Sequence, residues 1–283
     1  MTFEDLKLNR SLRLALADLG LDVPTTIQAK AFAPLMAGKQ VVGISQTGTG
    51  KTFAYLLPLL NLWKFEKKTV PQILILVPTR ELVAQVVEAV ESLCKYMSVN
   101  VVGVYGGANM KPQKLALAEG ADVVVGTPGR VHDLIVHGSL ATKKLKRIVI
   151  DEVDEMLNLG FRTQLRNLVG LLPEKRQHAL FSATMTDEVE AVILQFTSFY
   201  EKIEAAPSGA PLENIQQFTY AVNNFNSKAN ALEHLLKADS AMEKVLIFAK
   251  TRKFADALYE RMAPVFGEAC GVIHSSKSQN FRF

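Results

Sequence analysis

Six short apolar runs, at residues 41–44, 73–77, 99–104, 123–125, 148–150 and 179–181, alternate along this chain with stretches of helical periodicity. Unbroken apolarity over a few residues, rich in Val and Ile and bounded by turn formers, is the pattern of a strand covered on both faces. Strands of that kind separated by amphipathic helices, as over 80–96 and 110–117, assemble into a mainly parallel sheet with helices on either side. The expected fold is therefore α/β, a doubly wound parallel sheet. In such a sheet ligands collect beyond the carboxyl ends of the strands, and the search for chemistry starts there.

The first run ends at Ile44 and is followed by Ser45-Gln46-Thr47-Gly48-Thr49-Gly50-Lys51-Thr52, with a helical pattern from Phe53 onward. A strand, a glycine-bearing turn and a helix opening on Lys-Thr form a phosphate cradle. Backbone N–H groups and the helix N-terminus hold the phosphates, Lys51 reaches the outer ones and the Thr52 hydroxyl ligates Mg²⁺. Such loops ordinarily begin with Gly, where this chain has Ser45. Gly48 and Gly50 alone would fit a plain turn, but Lys51 and Thr52 stand at the offset that phosphate binding requires. Directly after run 148–150 come Asp151 and Glu152, with Asp154 two residues on. Asp151 is assigned to the Mg²⁺ shell and Glu152 to an attacking water. Acidic residues at a helix start are also favoured by its dipole alone, so it is the ordered pair of segments that argues for a nucleoside triphosphate and its metal.

The chain has 283 residues, 48% of them hydrophobic and 21% charged, more than one typical domain holds. The segment Ala206-Pro207-Ser208-Gly209-Ala210-Pro211 breaks the alternation and reads as a linker. We expect a first domain over 1–205, a linker at 206–211 and a partial second domain over 212–283. The second should carry strands near 217–222, 245–248 and 271–273, with helices near 227–236 and up to about 262. A net charge of +4 permits a polyanionic partner without requiring one. Cys94 and Cys270 read as two buried thiols in a reducing compartment. With neither a signal peptide nor an apolar run of membrane-spanning length, the expected location is the cytoplasm.

On these residues the chain resembles the DEAD-box family of ATP-dependent RNA helicases, in order from Phe3 to Arg282. The resemblance implies RecA-like domains, ATP and Mg²⁺ as cofactors, and RNA as partner. Phe3, Gly20 and Pro24-Thr25-Thr26-Ile27-Gln28 are similar to the family's adenine-recognition segment. It implies that Phe3 packs on the base, that Thr25 lies at the ATP site and that Gln28 pairs with the adenine edge, to which a carboxamide can both donate and accept. Pro78-Thr79-Arg80, Gly106-Gly107 and Thr127-Pro128-Gly129-Arg130 are similar to its RNA-facing loops. Contacts there would go to phosphates and sugars, with little sequence preference. Taken singly, the three read as a helix start, a tight turn and a Pro-Gly turn.

Ser182-Ala183-Thr184 resembles the family's coupling segment, which implies contact with Asp154, and Gln279 and Arg282 resemble RNA contacts of the second domain. Lys51, Asp151 and Glu152 inherit the catalytic roles. Two positions depart from the pattern, Val153 where the family has Ala and Leu21 where it has an aromatic residue. The family's later motifs, including arginines that reach the γ-phosphate, have no counterpart before Phe283. The expectation is a helicase incomplete in this chain and weak or inactive alone. Adenine-nucleotide and RNA binding without turnover, and an unrelated P-loop kinase or ATPase, remain as alternatives that RNA-stimulated hydrolysis would separate.

Overall fold

Each apolar run becomes a strand, because parallel pairing satisfies its backbone while helices cover its two faces. The computed structural model describes residues 1–66, 70–205, 216–238 and 242–276, and the chain divides into two compact units, Met1–Pro211 and Leu212–Phe283. After a 3₁₀ turn at Phe3–Asp5 come α1 (Arg10–Asp18), α2 (Thr26–Met36), β1 (Val41–Ile44), α3 (Lys51–Asn61), β2 (Ile73–Leu76), α4 (Arg80–Leu93) and β3 (Val101–Val104). Next are α5 (Met110–Glu119), β4 (Val123–Gly126), α6 (Pro128–Val136), β5 (Arg147–Ile150) and α7 (Val153–Asn158). The unit closes with α8 (Arg162–Val169), β6 (Gln177–Ser182), α9 (Asp187–Phe196) and β7 (Glu201–Glu204).

The strands form one parallel sheet in the order β3-β4-β2-β5-β6-β1-β7. Successive side chains point to opposite faces, so each strand feeds two cores. Val41, Ile75, Val149 and Phe181 pack with α1 to α4 on one side. Val42, Leu74, Ile150 and Leu180 pack with residues of α6 to α9 on the other. Register fixes what meets at the carboxyl edge. Ile44 lies opposite Ser182, and Leu180 opposite Ile150, so the chain leaves β1, β6 and β5 side by side at Ser45, Ala183 and Asp151.

The sequence reading missed β7. Its residues, Glu-Lys-Ile-Glu, place only Ile203 in the core, and an edge strand open to solvent carries no long apolar run. In the second unit the structure gives α10 (Phe225–Ala238) and α11 (Arg252–Phe266) around a small core of Ala229, Leu258 and Met262. The three strands expected at 217–222, 245–248 and 271–273 are corrected: none pairs among the described residues. Leu246 and Phe248 are 77% and 90% exposed. β-branched and aromatic composition marks a strand only where a neighbouring ladder satisfies its backbone, and runs of three to six residues have little structure without one. The expected linker at 206–211 lies outside the described residues.

Cys94 is buried, and burial pushes its thiol up to about 12, whereas Cys270 is only half-buried, against the expectation of two buried thiols. No helix among the described residues is long and apolar enough to cross a membrane.

Gly126 ends β4 immediately before the Thr127 loop. A Cβ there would stand 2.5 Å from Val131, 2.6 Å from the Val104 side chain and 2.9 Å from the Val104 carbonyl oxygen. Gly126→Ala should therefore destabilise the first unit by about 1–3 kcal/mol through overpacking. Chemical denaturation checks this, and an unchanged midpoint would contradict the packing described.

Candidate nucleotide and polyanion sites

The turn after β1 needs two residues with left-handed backbone, and the chain puts glycine at both: Gly48 has φ 82° and Gly50 φ 89°. Thr49 Oγ1 donates to the Gln46 carbonyl at 2.7 Å and also lies in short contact with the buried Ser45 hydroxyl. The position where such loops usually have Gly is thus filled here by a side chain that braces the loop from within. Thr47 is exposed at the tip. Lys51 opens α3 with its side chain buried, and its Nζ makes no hydrogen bond. A buried ammonium without a partner is costly to desolvate.

Asp151 leaves β5 buried and with both oxygens occupied. Oδ1 accepts the Glu152 N–H at 3.0 Å and Oδ2 accepts from the Tyr55 hydroxyl at 3.0 Å. Burial raises its pKa to about 6, although Lys51 and Tyr55 pull the other way. Glu152 is the only non-glycine residue with positive φ among the described residues, at 53°. Such a backbone stores about 1–3 kcal/mol and persists where its surroundings dictate it. Burial also raises the Glu152 pKa, with Lys51 opposing.

Asp154 and the segment after β6 meet as expected. Asp154 Oδ2 accepts from both the backbone N–H and the hydroxyl of Thr184, each at 3.0 Å. The buried Ser182 hydroxyl accepts the Asp154 N–H at 3.3 Å. A cavity of about 240 Å³ joins the pieces, lined by Thr47, Lys51, Glu152, Asp154 and Ala183 among others. Val153, the departure from the family signature, is fully buried in the core beneath.

Gln28 is buried against the phosphate loop. Its Oε1 accepts the Thr25 N–H at 2.9 Å and its Nε2 donates to the Gly50 carbonyl at 3.2 Å. A Cβ on Gly50 would lie 2.4 Å from that nitrogen. Phe3 is 5% exposed, packed in the apolar core.

The three loops expected to face RNA follow β2, β4 and β3, neighbours at one end of the sheet. Pro78 is buried, and Thr79 caps α4, its hydroxyl accepting the Leu82 N–H at 3.2 Å. The Arg80 guanidinium packs over Gly107, where a Cβ would come within 2.3 Å of it. Thr127 Oγ1 accepts the Gly106 N–H at 3.3 Å, and Gly129 lies in the first turn of α6. Arg130 is 8% exposed, donating to Gln113 Oε1 at 2.8 Å and to the Ala108 carbonyl at 2.9 Å. In this structure it holds the neighbouring loop rather than reaching outward. Gln279 and Arg282 lie outside the described residues.

Sequence reasoning missed Gln113, whose carboxamide also exchanges hydrogen bonds with the Tyr105 N–H and carbonyl at 3.2 Å. It missed Tyr55 as well. The first reads as the polar side of a helix and the second as a core aromatic.

The model of DEAD/DEAH box helicases matches residues 25–192. The chain belongs to this helicase family. This DEAD-box chain is 40% identical over 252 residues to the ATP-dependent RNA helicase DeaD of Klebsiella pneumoniae, which covers 89% of the chain and 39% of that protein. It is 37% identical over 281 residues to the RNA helicase CrhR of Synechocystis, covering 99% and 56%. It thus spans about two fifths to just over half the length of these relatives. The crystal structure of a DEAD box protein from Methanococcus jannaschii superposes with a TM-score of 0.70 at 34% identity, over all of this chain and 75% of that one.

The site residues fit ATP and Mg²⁺. The unpartnered Lys51 ammonium awaits an anion, and the Thr52 hydroxyl with the Asp151 carboxylate forms the hard oxygen set that Mg²⁺ accepts. Among the described residues no group of three His, Cys, Asp or Glu side chains stands ready to hold a metal by itself.

The raised Asp151 pKa means that the folded state holds this proton more tightly than the unfolded chain does. Ionisation then destabilises the fold. The penalty is absent below about 3.8, grows as pH rises towards about 6 and is complete above it. Asp151→Asn should therefore stabilise the nucleotide-free chain at neutral pH by up to about 3 kcal/mol. That advantage should hold steady above about pH 6 and shrink as pH falls from there towards about 3.8. Denaturant titrations across that range check it, and a variant less stable than the parent at neutral pH would contradict it.

Proposed function

We propose that this chain is the nucleotide-driven part of an ATP-dependent RNA helicase, acting in the cytoplasm. The observation that carries the reading is the buried, unpartnered Nζ of Lys51 beside the ionisable pair Asp151 and Glu152. On this reading Gly48, Gly50 and the first N–H groups of α3 wrap the phosphates, and Lys51 neutralises the outer ones. Thr52 and Asp151 hold Mg²⁺, which when bound screens the phosphate charge that builds up during transfer. Glu152 orients and deprotonates the attacking water. Gln28 reads adenine with the hydrogen-bonding capacity left after its contacts to Thr25 and Gly50, which ties base recognition to loop geometry.

RNA would lie across the loops after β2, β3 and β4, held through its phosphates and sugars. The Thr184 to Asp154 contact carries the state of the phosphate site to the segment after β6, whose response favours local duplex separation. Support for RNA as the partner comes from the names of the relatives and from the match of Pro78-Thr79-Arg80, Gly106-Gly107 and Thr127 to Arg130 with the family's RNA-facing loops. Turnover and unwinding are read here as properties of the whole protein.

Lys51→Ala should weaken Mg²⁺-ATP binding at least about tenfold, since a charge-assisted contact in a buried site is lost. Calorimetry measures this, and affinity equal to the parent's would remove the phosphate-loop assignment. RNA binding should weaken steeply with salt. Arg80→Ala should reduce the slope of log affinity against log salt by about one phosphate contact, uniformly across sequences. A sequence-selective loss, or an unaltered slope, would take Arg80 off the RNA path.

A further inference from the structure

Tyr55 lies three residues after Thr52 on α3, so the two share a face of the helix. It is completely buried, and a buried phenol keeps its hydroxyl where a partner exists. Its hydrogen-bond partner lies in the proposed metal shell: the hydroxyl donates to Asp151 Oδ2 at 3.0 Å. The far oxygen of Asp151 accepts the N–H of Glu152, the residue with φ 53°.

The ring is held by packing that begins two strands away. Phe181 of β6 stands with its ring centroid 5.4 Å from that of Tyr55 at an interplanar angle of 52°. Phe181 in turn occupies space left by Gly43 of β1, where a Cβ would meet the ring at 2.5 Å. The bare backbone of Gly43 therefore seats Phe181, Phe181 walls in Tyr55, and Tyr55 fixes the carboxylate.

We infer that Tyr55 is a positioning residue for Mg²⁺, its hydroxyl holding the Asp151 carboxylate in the one rotamer that faces the cation. Mg²⁺ tolerates little departure from octahedral geometry, so a carboxylate fixed by a hydrogen bond serves it better than one free to turn. Hydrogen-bond partners just outside a metal shell commonly change metal affinity 10–100-fold. A plain core aromatic at this place would need no hydroxyl.

The inference rests on the nucleotide-binding reading, and its test separates the two. ADP binding by the full chain and by Tyr55→Phe is measured calorimetrically across a Mg²⁺ series that includes a metal-free point. We expect metal-free affinity within about twofold of the parent and a Mg²⁺ half-saturation raised roughly tenfold. Superimposable Mg²⁺ curves, or an equal loss with and without metal, would overturn the inference and leave ATP binding standing. If the parent itself binds no ADP at any Mg²⁺ concentration, it is the proposed function that fails. Phe181→Leu keeps the Tyr55 hydroxyl but removes the wall behind the ring. It should move the half-saturation in the same direction by a smaller factor, and an unmoved value would overturn the inference even if Tyr55→Phe does not fold.

Discussion

A buried lysine without a hydrogen-bond partner, set beside a buried aspartate and a half-buried glutamate, is the constraint around which this structure is arranged. Desolvation raises the pKa of both carboxylates, and the Lys51 charge works against that rise. None of the three is in its preferred environment alone. A phosphate group and a divalent cation would supply the missing opposite charge to each, so the site is destabilised as it stands and stabilised by its ligand.

Sheet order turns distant sequence into one site. β6 lies between β1 and β5, and its parallel register brings Ser45, Ala183 and Asp151 to the same edge. The segment after β6 therefore sits between the phosphate loop and the acidic pair, which lets Asp154 accept two hydrogen bonds from Thr184. The other end of the edge, formed by β2, β4 and β3, carries the glycine and threonine loops proposed to meet RNA. The loops proposed for nucleotide and for RNA thus follow separate strands of one sheet, with β5 joining the halves.

Much of this was legible because strands covered on both faces write themselves as apolar runs, and because Gly48, Gly50, Lys51 and Thr52 must occur at fixed offsets. β7 was not legible, since only Ile203 of its four residues enters the core. The second-unit strands were expected from composition that holds only when a neighbouring ladder is present. Arg130 and Gln113 show a further limit. An arginine in a loop that follows a strand reads as an outward contact, yet here its guanidinium is spent on Gln113 and the Ala108 carbonyl. Tyr55 was hidden for the opposite reason, because one oxygen distinguishes it from the apolar residues that surround it on α3. The burial of Phe3 likewise follows from contacts that no local pattern records.

The central claim is that the Lys51 ammonium and the turn around it are built for the outer phosphates of a nucleotide. The most direct test is a crystal structure of this chain with Mg²⁺ and a non-hydrolysable ATP analogue. The account predicts the outer phosphates within hydrogen-bonding distance of Lys51 Nζ and of the first N–H groups of α3, with the metal bridging Thr52 and the Asp151 side. An analogue bound elsewhere, or bound in the turn with Lys51 still unpartnered, would contradict it.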